Sequence, residues 1–143
     1  MPGSDGVRRI VLAAMGALAL AGCEGDIGGM VGVPTGVSWR GRLDEGNVVA
    51  AGIGARSARA GDLLATVDWI LDQRPMPDAP ELDFYWGVGL RAASEAFGPR
   101  VPVGLLWAFE GPDGHVFLEI APGVNLAGPQ FTFDGALGVR FSF

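Results

Sequence analysis

Residues 131–143 read FTFDGALGVRFSF, and for most of their length two kinds of side chain alternate. Phenylalanine, leucine and valine occupy every second position, while threonine, aspartate, arginine, serine and small residues lie between them. A period of two is that of a β-strand, in which successive side chains point to opposite faces of a sheet. This stretch therefore predicts a strand with one apolar face and one polar face.

The same alternation recurs upstream, so the pattern predicts eight strands in all. The seven further segments are residues 26–33, 37–43, 49–56, 63–72, 82–91, 101–110 and 115–126. Glycine, proline, aspartate and asparagine separate them, as is typical of turns between neighbouring antiparallel strands. The longest predicted connection is the proline-rich stretch 72–81.

Four tryptophans lie on the apolar face of the predicted strands: Trp39, Trp69, Trp86 and Trp107. They are too bulky to share the interior of an eight-stranded ring with the other apolar side chains, and they suit an aromatic girdle at a membrane interface. We therefore predict an eight-stranded antiparallel up-and-down transmembrane β-barrel over residues 23–143. The alternative is a soluble barrel of the lipocalin type, whose apolar face would point inward.

Charges of both signs fall on the predicted polar face, which would line the lumen of such a barrel. The predicted ionic network consists of Arg40, Arg42, Asp68, Asp83, Arg91, Glu119, Asp134 and Arg140. Buried charges need partners, so the simplest interpretation is structural pairing, with Glu119 expected close to Arg140. Eight strands enclose a lumen filled by side chains, which disfavours a wide pore.

The N-terminal region has the organisation of an export signal. Arg8 and Arg9 precede an apolar run over residues 10–21, which is shorter than a membrane-spanning helix. The run ends in LAGC (20–23), which resembles the lipobox of bacterial lipoproteins and implies an acylated Cys23 after a signal peptide of residues 1–22. Cleavage without acylation at the ALA site (19–21) is the alternative.

Composition argues against several other classes. The formal net charge is −6 and every cation other than the single histidine is an arginine, without a cluster beyond Arg8 and Arg9, so a nucleic-acid partner is not expected. Neither a metal nor another cofactor is expected, because there is one cysteine and one histidine. His115 and Glu119 stand four residues apart on a strand, about 13 Å, so they cannot form a catalytic pair and we expect no enzyme.

Two resemblances extend the prediction. The end of the chain, with Phe141 and the terminal Phe143, resembles the signal by which the barrel assembly machinery recognises its substrates. The segments YWGVGLR (85–91), RVPVGL (100–105), VFLEIAP (116–122) and GALGVR (135–140) are similar to small outer-membrane barrels related in shape to OmpX and the membrane domain of OmpA. This implies a fold and a location in the bacterial outer membrane, with no established common activity. We expect a monomer surrounded by lipid, with both termini periplasmic and a structural or unknown role, and the alternative is a surface barrel that binds a small-molecule ligand or a lipid.

Overall fold

The computed structural model describes Arg9 and residues 25–43, 46–56, 62–94, 96–110 and 113–142. This part of the chain is all-β and contains nine strands. They are β1 (Gly25–Gly32), β2 (Thr35–Arg42), β3 (Val48–Ala55), β4 (Leu63–Met76), β5 (Ala79–Ala93), β6 (Ala96–Arg100), β7 (Val103–Ala108), β8 (Gly114–Asn125) and β9 (Gln130–Ser142). Within these ranges, no helix has the length and hydropathy needed to cross a membrane.

The strands pair antiparallel in chain order and return to their start. Each strand from β1 to β5 pairs with its successor, β8 pairs with β9, and β9 pairs back with β1. β6 and β7 both lie between β5 and β8. The sheet is therefore a ring without a free edge along most of its length, in an up-and-down order.

Nine strands fill eight positions in the ring, because β6 and β7 follow one another along a single line. Only Val101 and Pro102 separate them, and a proline has no N–H for the ladder. The interruption is still bridged, since Gly87 N–H donates to the Pro102 carbonyl at 3.0 Å and Val101 N–H donates to the Pro122 carbonyl at 2.9 Å. The sequence predicts a connection over residues 93–99, between the predicted strands 82–91 and 101–110, and β6 shows that this prediction is wrong for residues 96–99.

The register climbs steadily around the ring. A path of paired residues starts at Ser142 on β9 and returns to β9 at Thr132, ten residues away, through Asp26, Arg40, Ala50, Asp68, Gly89, Arg100 and Gly123. With a rise of 3.3 Å per residue and eight strand positions, this stagger inclines the strands by about 40° to the ring axis. The path also runs along the inner face, so the stagger decides which charges meet.

The connection between β4 and β5 differs most from the prediction. The stretch 72–81 forms the end of a long hairpin, and the turn itself contains only Pro77 and Asp78. Register shifts occur at residues 70–72 and 75–76, and the second lies at Pro75, since prolines are tolerated at such irregularities. The first shift pairs Asp72 with the outward Trp86, which reverses the facing predicted for Asp72, and it pairs Gln73, which the sequence leaves in the connection, with the inward Tyr85.

The inner and outer faces of the ring are opposite in character to those of a soluble protein. The buried polar residues are Ser38, Arg40, Thr66, Asp68, Arg91, Arg100, His115, Asp134 and Arg140. Large apolar residues are exposed on every strand except β3, and they include Val31, Val37, Val67, Val88, Phe97, Trp107, Leu118 and Leu137. Polar groups are thus inside and apolar groups outside.

Glycines make room inside the ring for the largest inner side chains. A Cβ added at Gly104 would lie 2.4 Å from the Tyr85 hydroxyl, and one added at Gly138 would lie 2.5 Å from the Phe117 ring. Tyr85 and Phe117 belong to an inner apolar cluster with Met30, Ala50, Ile70 and Leu106. The alternation places the apolar Phe117 on the predicted polar, inner face, and the structure confirms that it lies on the inner face.

Candidate functional site

The buried charges form an inner ionic cluster centred on Arg100. Its guanidinium donates to Asp68 through Nε at 2.9 Å and through Nη2 at 3.1 Å, and Nη2 also donates to Glu119 at 2.5 Å. Nη1 lies 3.7 Å from Asp134 Oδ2. Arg100 is 3% exposed, so one buried cation contacts three carboxylates.

Two further residues complete the inner ionic cluster. Arg91 donates to both oxygens of Asp134, at 2.8 and 3.1 Å, in the fork geometry that suits a carboxylate. The Tyr85 hydroxyl donates to Glu119 Oε2 at 2.6 Å. Hydrogen bonds from several strands therefore satisfy the carboxylates, as a buried ion cluster requires.

A second cluster of polar side chains lies near the end of the ring at which β1 begins and β9 ends. Arg140 Nε donates to Ser38 Oγ at 2.8 Å, and the guanidinium stacks 3.8 Å from the centre of the Phe117 ring. Arg140 Nη1 lies 3.1 Å from His115 Nε2. Because arginine only donates, His115 Nε2 must accept, which leaves its proton on Nδ1. That Nδ1 lies 3.6 Å from Asp26 Oδ2.

The structure brings together part of the predicted network. Arg91, Asp68, Glu119 and Asp134 meet inside the ring, where Asp134 pairs with Arg91. The expected contact of Glu119 with Arg140 is wrong. Strand β8 pairs with β9 so that Glu119 faces Ala136, and it is His115 that faces Arg140. The actual register is displaced by two residues from the predicted one.

The other predicted members have different surroundings. Arg40 is buried, and it donates to Gln73 and lies 5.3 Å from the centre of the Tyr85 ring. Asp83 accepts from Gln73 at 2.8 Å and contacts no arginine in the described ranges. Arg42 is exposed at the end of β2, where solvent reaches it, and forms no ion pair with another described residue. Neither Asp83 nor Arg42 belongs to the inner ionic cluster.

Sequence reasoning missed the central residue of the cluster. The predicted strand begins at residue 101, so it leaves Arg100 just outside. The alternation could have identified it, because Arg100 lies two residues before Pro102, and Pro102, Gly104 and Leu106 occupy the predicted inner face of this strand. Gln73 was missed for another reason, because the bulge that turns it inward leaves no mark in the alternation.

Three of the four tryptophans are exposed on the outer face: Trp69, Trp86 and Trp107. Trp39 is 9% exposed, so its placement in an exposed girdle is wrong. Its indole lies against Gly41, two residues along the same face, where a Cβ would be 2.3 Å from the ring. The missing side chain leaves room for the indole to lie against the sheet. Phe141 is exposed, whereas Cys23, the signal region and Phe143 lie outside the described residues.

Ser38, Ser142 and His115 contact other partners rather than one another. Ser142 donates to Asp26 at 2.6 Å, and Ser38 accepts from Arg140. His115 Nε2 also faces Arg140, so neither of these two serine hydroxyls is hydrogen-bonded to that nitrogen. In the described ranges, no three His, Cys, Asp or Glu residues are placed to hold a metal ion.

Two cavities lie on the inner side of the ring. One, of about 20 Å³, is bordered by the inner ionic cluster and Phe117, and it has room for roughly one water molecule. The other, of about 430 Å³, is a mouth cavity lined by Asp26, Arg40, Arg42, Gln73, His115 and Ser142 among others.

The chain matches no protein-family model, no curated protein and no solved structure.

Proposed function

We propose that the chain is an eight-stranded transmembrane β-barrel of a bacterial outer membrane, with a sealed lumen and a structural role rather than a catalytic one. The observation that carries this proposal is the reversed distribution of polarity. Arginines and carboxylates are buried inside the ring while valine, leucine, phenylalanine and tryptophan are exposed outside. Lipid as the surrounding solvent accounts for both facts, whereas water would favour the opposite arrangement.

The closure of the sheet supports the same proposal. Hydrocarbon offers no hydrogen-bond partner to backbone groups, so a spanning sheet must close on itself. Eight strand positions with a tilt of about 40° fall within the range typical of outer-membrane barrels. A soluble lipocalin-type barrel closes in a similar way, but it places its apolar face inward, and the reversed polarity argues against it.

The outer face supports a definite placement in the bilayer. Trp69, Trp86 and Trp107 lie in the half of the ring nearer to the first and last strand residues, and the ion pair of Arg74 with Asp72 follows just beyond them. Tryptophan belongs at the membrane interface and charge belongs in water. We place this end in the periplasm, with the β4–β5 hairpin extending from it.

A closed interior supports a non-conducting role. The inner ionic cluster and the apolar group around Tyr85 and Phe117 cross the ring, and the small cavity beside the cluster holds about 20 Å³. A hydrated solute needs much more room than one water molecule. We therefore expect no discrete channel openings from the protein in a planar bilayer.

Tryptophan quenching tests the membrane proposal. Variants that keep a single tryptophan, with the others replaced by phenylalanine, are folded into vesicles containing brominated lipids. Emission of the Trp69, Trp86 and Trp107 forms is expected to be strongly quenched, because these indoles are exposed on the outer face. The buried Trp39 form is the matched control and should be quenched less. Equal emission in brominated and ordinary vesicles for all four forms would contradict the proposal.

Export and acylation remain predictions from the sequence. If residues 1–22 are removed as a lipoprotein signal, the mature chain begins at Cys23 and carries acyl groups. Intact-mass measurement of the membrane form is expected to show that added mass, and Cys23→Ala is expected to lose it while the barrel still folds. A mature chain that begins at Gly22, or at Cys23 without acyl mass, would reject acylation and leave the barrel proposal untouched.

A further inference from the structure

Arg40 is a buried cation without an anionic partner among the described residues. It is 7% exposed, yet no carboxylate oxygen of a described residue lies within 4.0 Å of its nitrogens. Its one hydrogen bond to a described residue is from Nη2 to the neutral Gln73 side chain. A guanidinium has five N–H donors, so most of those of Arg40 are available. A buried charge of this kind is costly unless something else neutralises it.

The two ends of the interior differ in charge. The inner ionic cluster has two arginines, Arg91 and Arg100, against three carboxylates, and its members satisfy one another. Among the described residues that line the mouth cavity, Arg40 and Arg42 stand against one carboxylate, that of Asp26, which already accepts from Ser142 and faces His115. Asp83 lies behind this lining, where it accepts from Gln73 at 2.8 Å. Anionic charge therefore exceeds cationic charge in the cluster, and the reverse holds for the described lining of the mouth cavity.

The unpaired donors border open space. Arg40 lines the mouth cavity of about 430 Å³, with Leu106 beside it and Arg42 at the rim. This volume lies within the usual range for small-molecule sites. The opposite side is blocked, because the apolar group around Tyr85 and Phe117 and the inner ionic cluster fill the ring beyond it. The mouth cavity is a blind cup that opens at one end only.

We propose that the mouth cavity binds a phosphate-type oxyanion, with Arg40 as the principal contact and Arg42 as a second cation at the rim. The planar fork of a guanidinium matches two oxygens of a phosphate, and the surrounding burial strengthens the attraction. Gln73 and His115 line the same space and add polar contacts. His115 is uncharged in this arrangement, because its Nε2 accepts from Arg140. The phosphate could belong to a lipid headgroup or to a free small molecule, since both present the same chemistry.

Calorimetric titration of the purified full chain in nonionic detergent tests the site. One arm titrates inorganic phosphate, and the other titrates dodecyl phosphate incorporated in the same micelles. Saturable binding is expected, and Arg40→Gln is expected to weaken it by about tenfold or more, as loss of a charge-assisted contact should. Stronger binding in the dodecyl phosphate arm assigns a lipid source, and equal binding in both arms assigns a free anion.

A second variant keeps the test decisive if Arg40→Gln folds poorly. Gln73→Glu is combined with Asp83→Asn, because Gln73 donates to Asp83 and two carboxylates there would repel each other. The double substitution preserves size and places a carboxylate where Arg40 already donates, so it should form an internal ion pair and also abolish phosphate binding. Arg74→Gln is the matched control, because Arg74 is exposed outside the cup, and it should bind like the parent chain. Absence of saturable binding in both arms, or equal binding by the parent and both cup variants, would overturn the proposal.

Discussion

Replacing Arg100 by methionine is expected to lower the free energy of unfolding by about 3–5 kcal/mol, the cost typical of breaking a buried ion pair. Methionine keeps much of the length of the side chain but removes the charge that Asp68, Glu119 and Asp134 share. Arg91 would then be the one cation left in the inner ionic cluster, and its Nε and Nη2 already donate to the two oxygens of Asp134. Asp68 and Glu119 would remain buried without a counter-ion.

Urea unfolding of the chain in lipid vesicles, followed by tryptophan emission, measures this effect. Arg74→Met is the control, since it removes an arginine from an ion pair whose Arg74 side chain is 70% exposed. Exposed pairs contribute about 0–1 kcal/mol, so the control should change the midpoint little. Similar shifts for the two variants would show that Arg100 does not organise the interior.

Replacing Val88 by arginine is expected to cost about 1–3 kcal/mol in a bilayer. This value lies between the roughly 2–4 kcal/mol for arginine at the midplane and the roughly 0–1 kcal/mol near the interfaces, because Val88 pairs with the interfacial Trp69. Val88 is 45% exposed in the middle of β5, and it pairs with Trp69 on the neighbouring strand. Substitution of an exposed residue in a water-soluble protein is usually nearly neutral. The cost therefore arises from lipid and not from lost packing.

Glu81→Arg is the control for this substitution, because Glu81 is exposed on the hairpin beyond the ring and should lie in water. Both variants are unfolded by urea in the same vesicles. We expect Val88→Arg to be clearly less stable than the parent chain and Glu81→Arg to be unchanged. Equal stability of the two variants would mean that the outer face of β5 does not contact hydrocarbon.

Alternation alone was enough to predict the antiparallel β architecture. In β9 the inner positions Asp134, Gly138 and Arg140 are buried and the outer positions Phe133 and Leu137 are exposed, as the period of two requires. Burial of one face makes register costly to change, so the assignment of faces is robust wherever contrast is high. The same reasoning placed Asp68, Arg91 and Asp134 inside.

The site could be predicted only in part, because partner choice depends on register and stagger. A displacement of two residues between β8 and β9 keeps every side chain on its face, yet it separates Glu119 from Arg140. The bulge after Ile70 turns Gln73 toward Arg40. No periodic signal reports either event. The alternation also does not predict β6, which backbone hydrogen bonds of Gly87 and Val101 keep continuous with β7 in the sheet.

The most direct test of the membrane barrel is the surroundings of its outer face around the whole ring. Single cysteines replace Val31, Val67, Val88, Leu118 or Leu137 in a Cys23→Ser background, each carries a nitroxide label, and the chain is folded into vesicles. Paramagnetic resonance then compares collisions with oxygen, which concentrates in hydrocarbon, and with a water-soluble nickel complex, while a label at Glu81 serves as the aqueous control. The proposal predicts high oxygen and low nickel accessibility at all five outer sites. Nickel accessibility equal to that of the Glu81 label at these sites would contradict it.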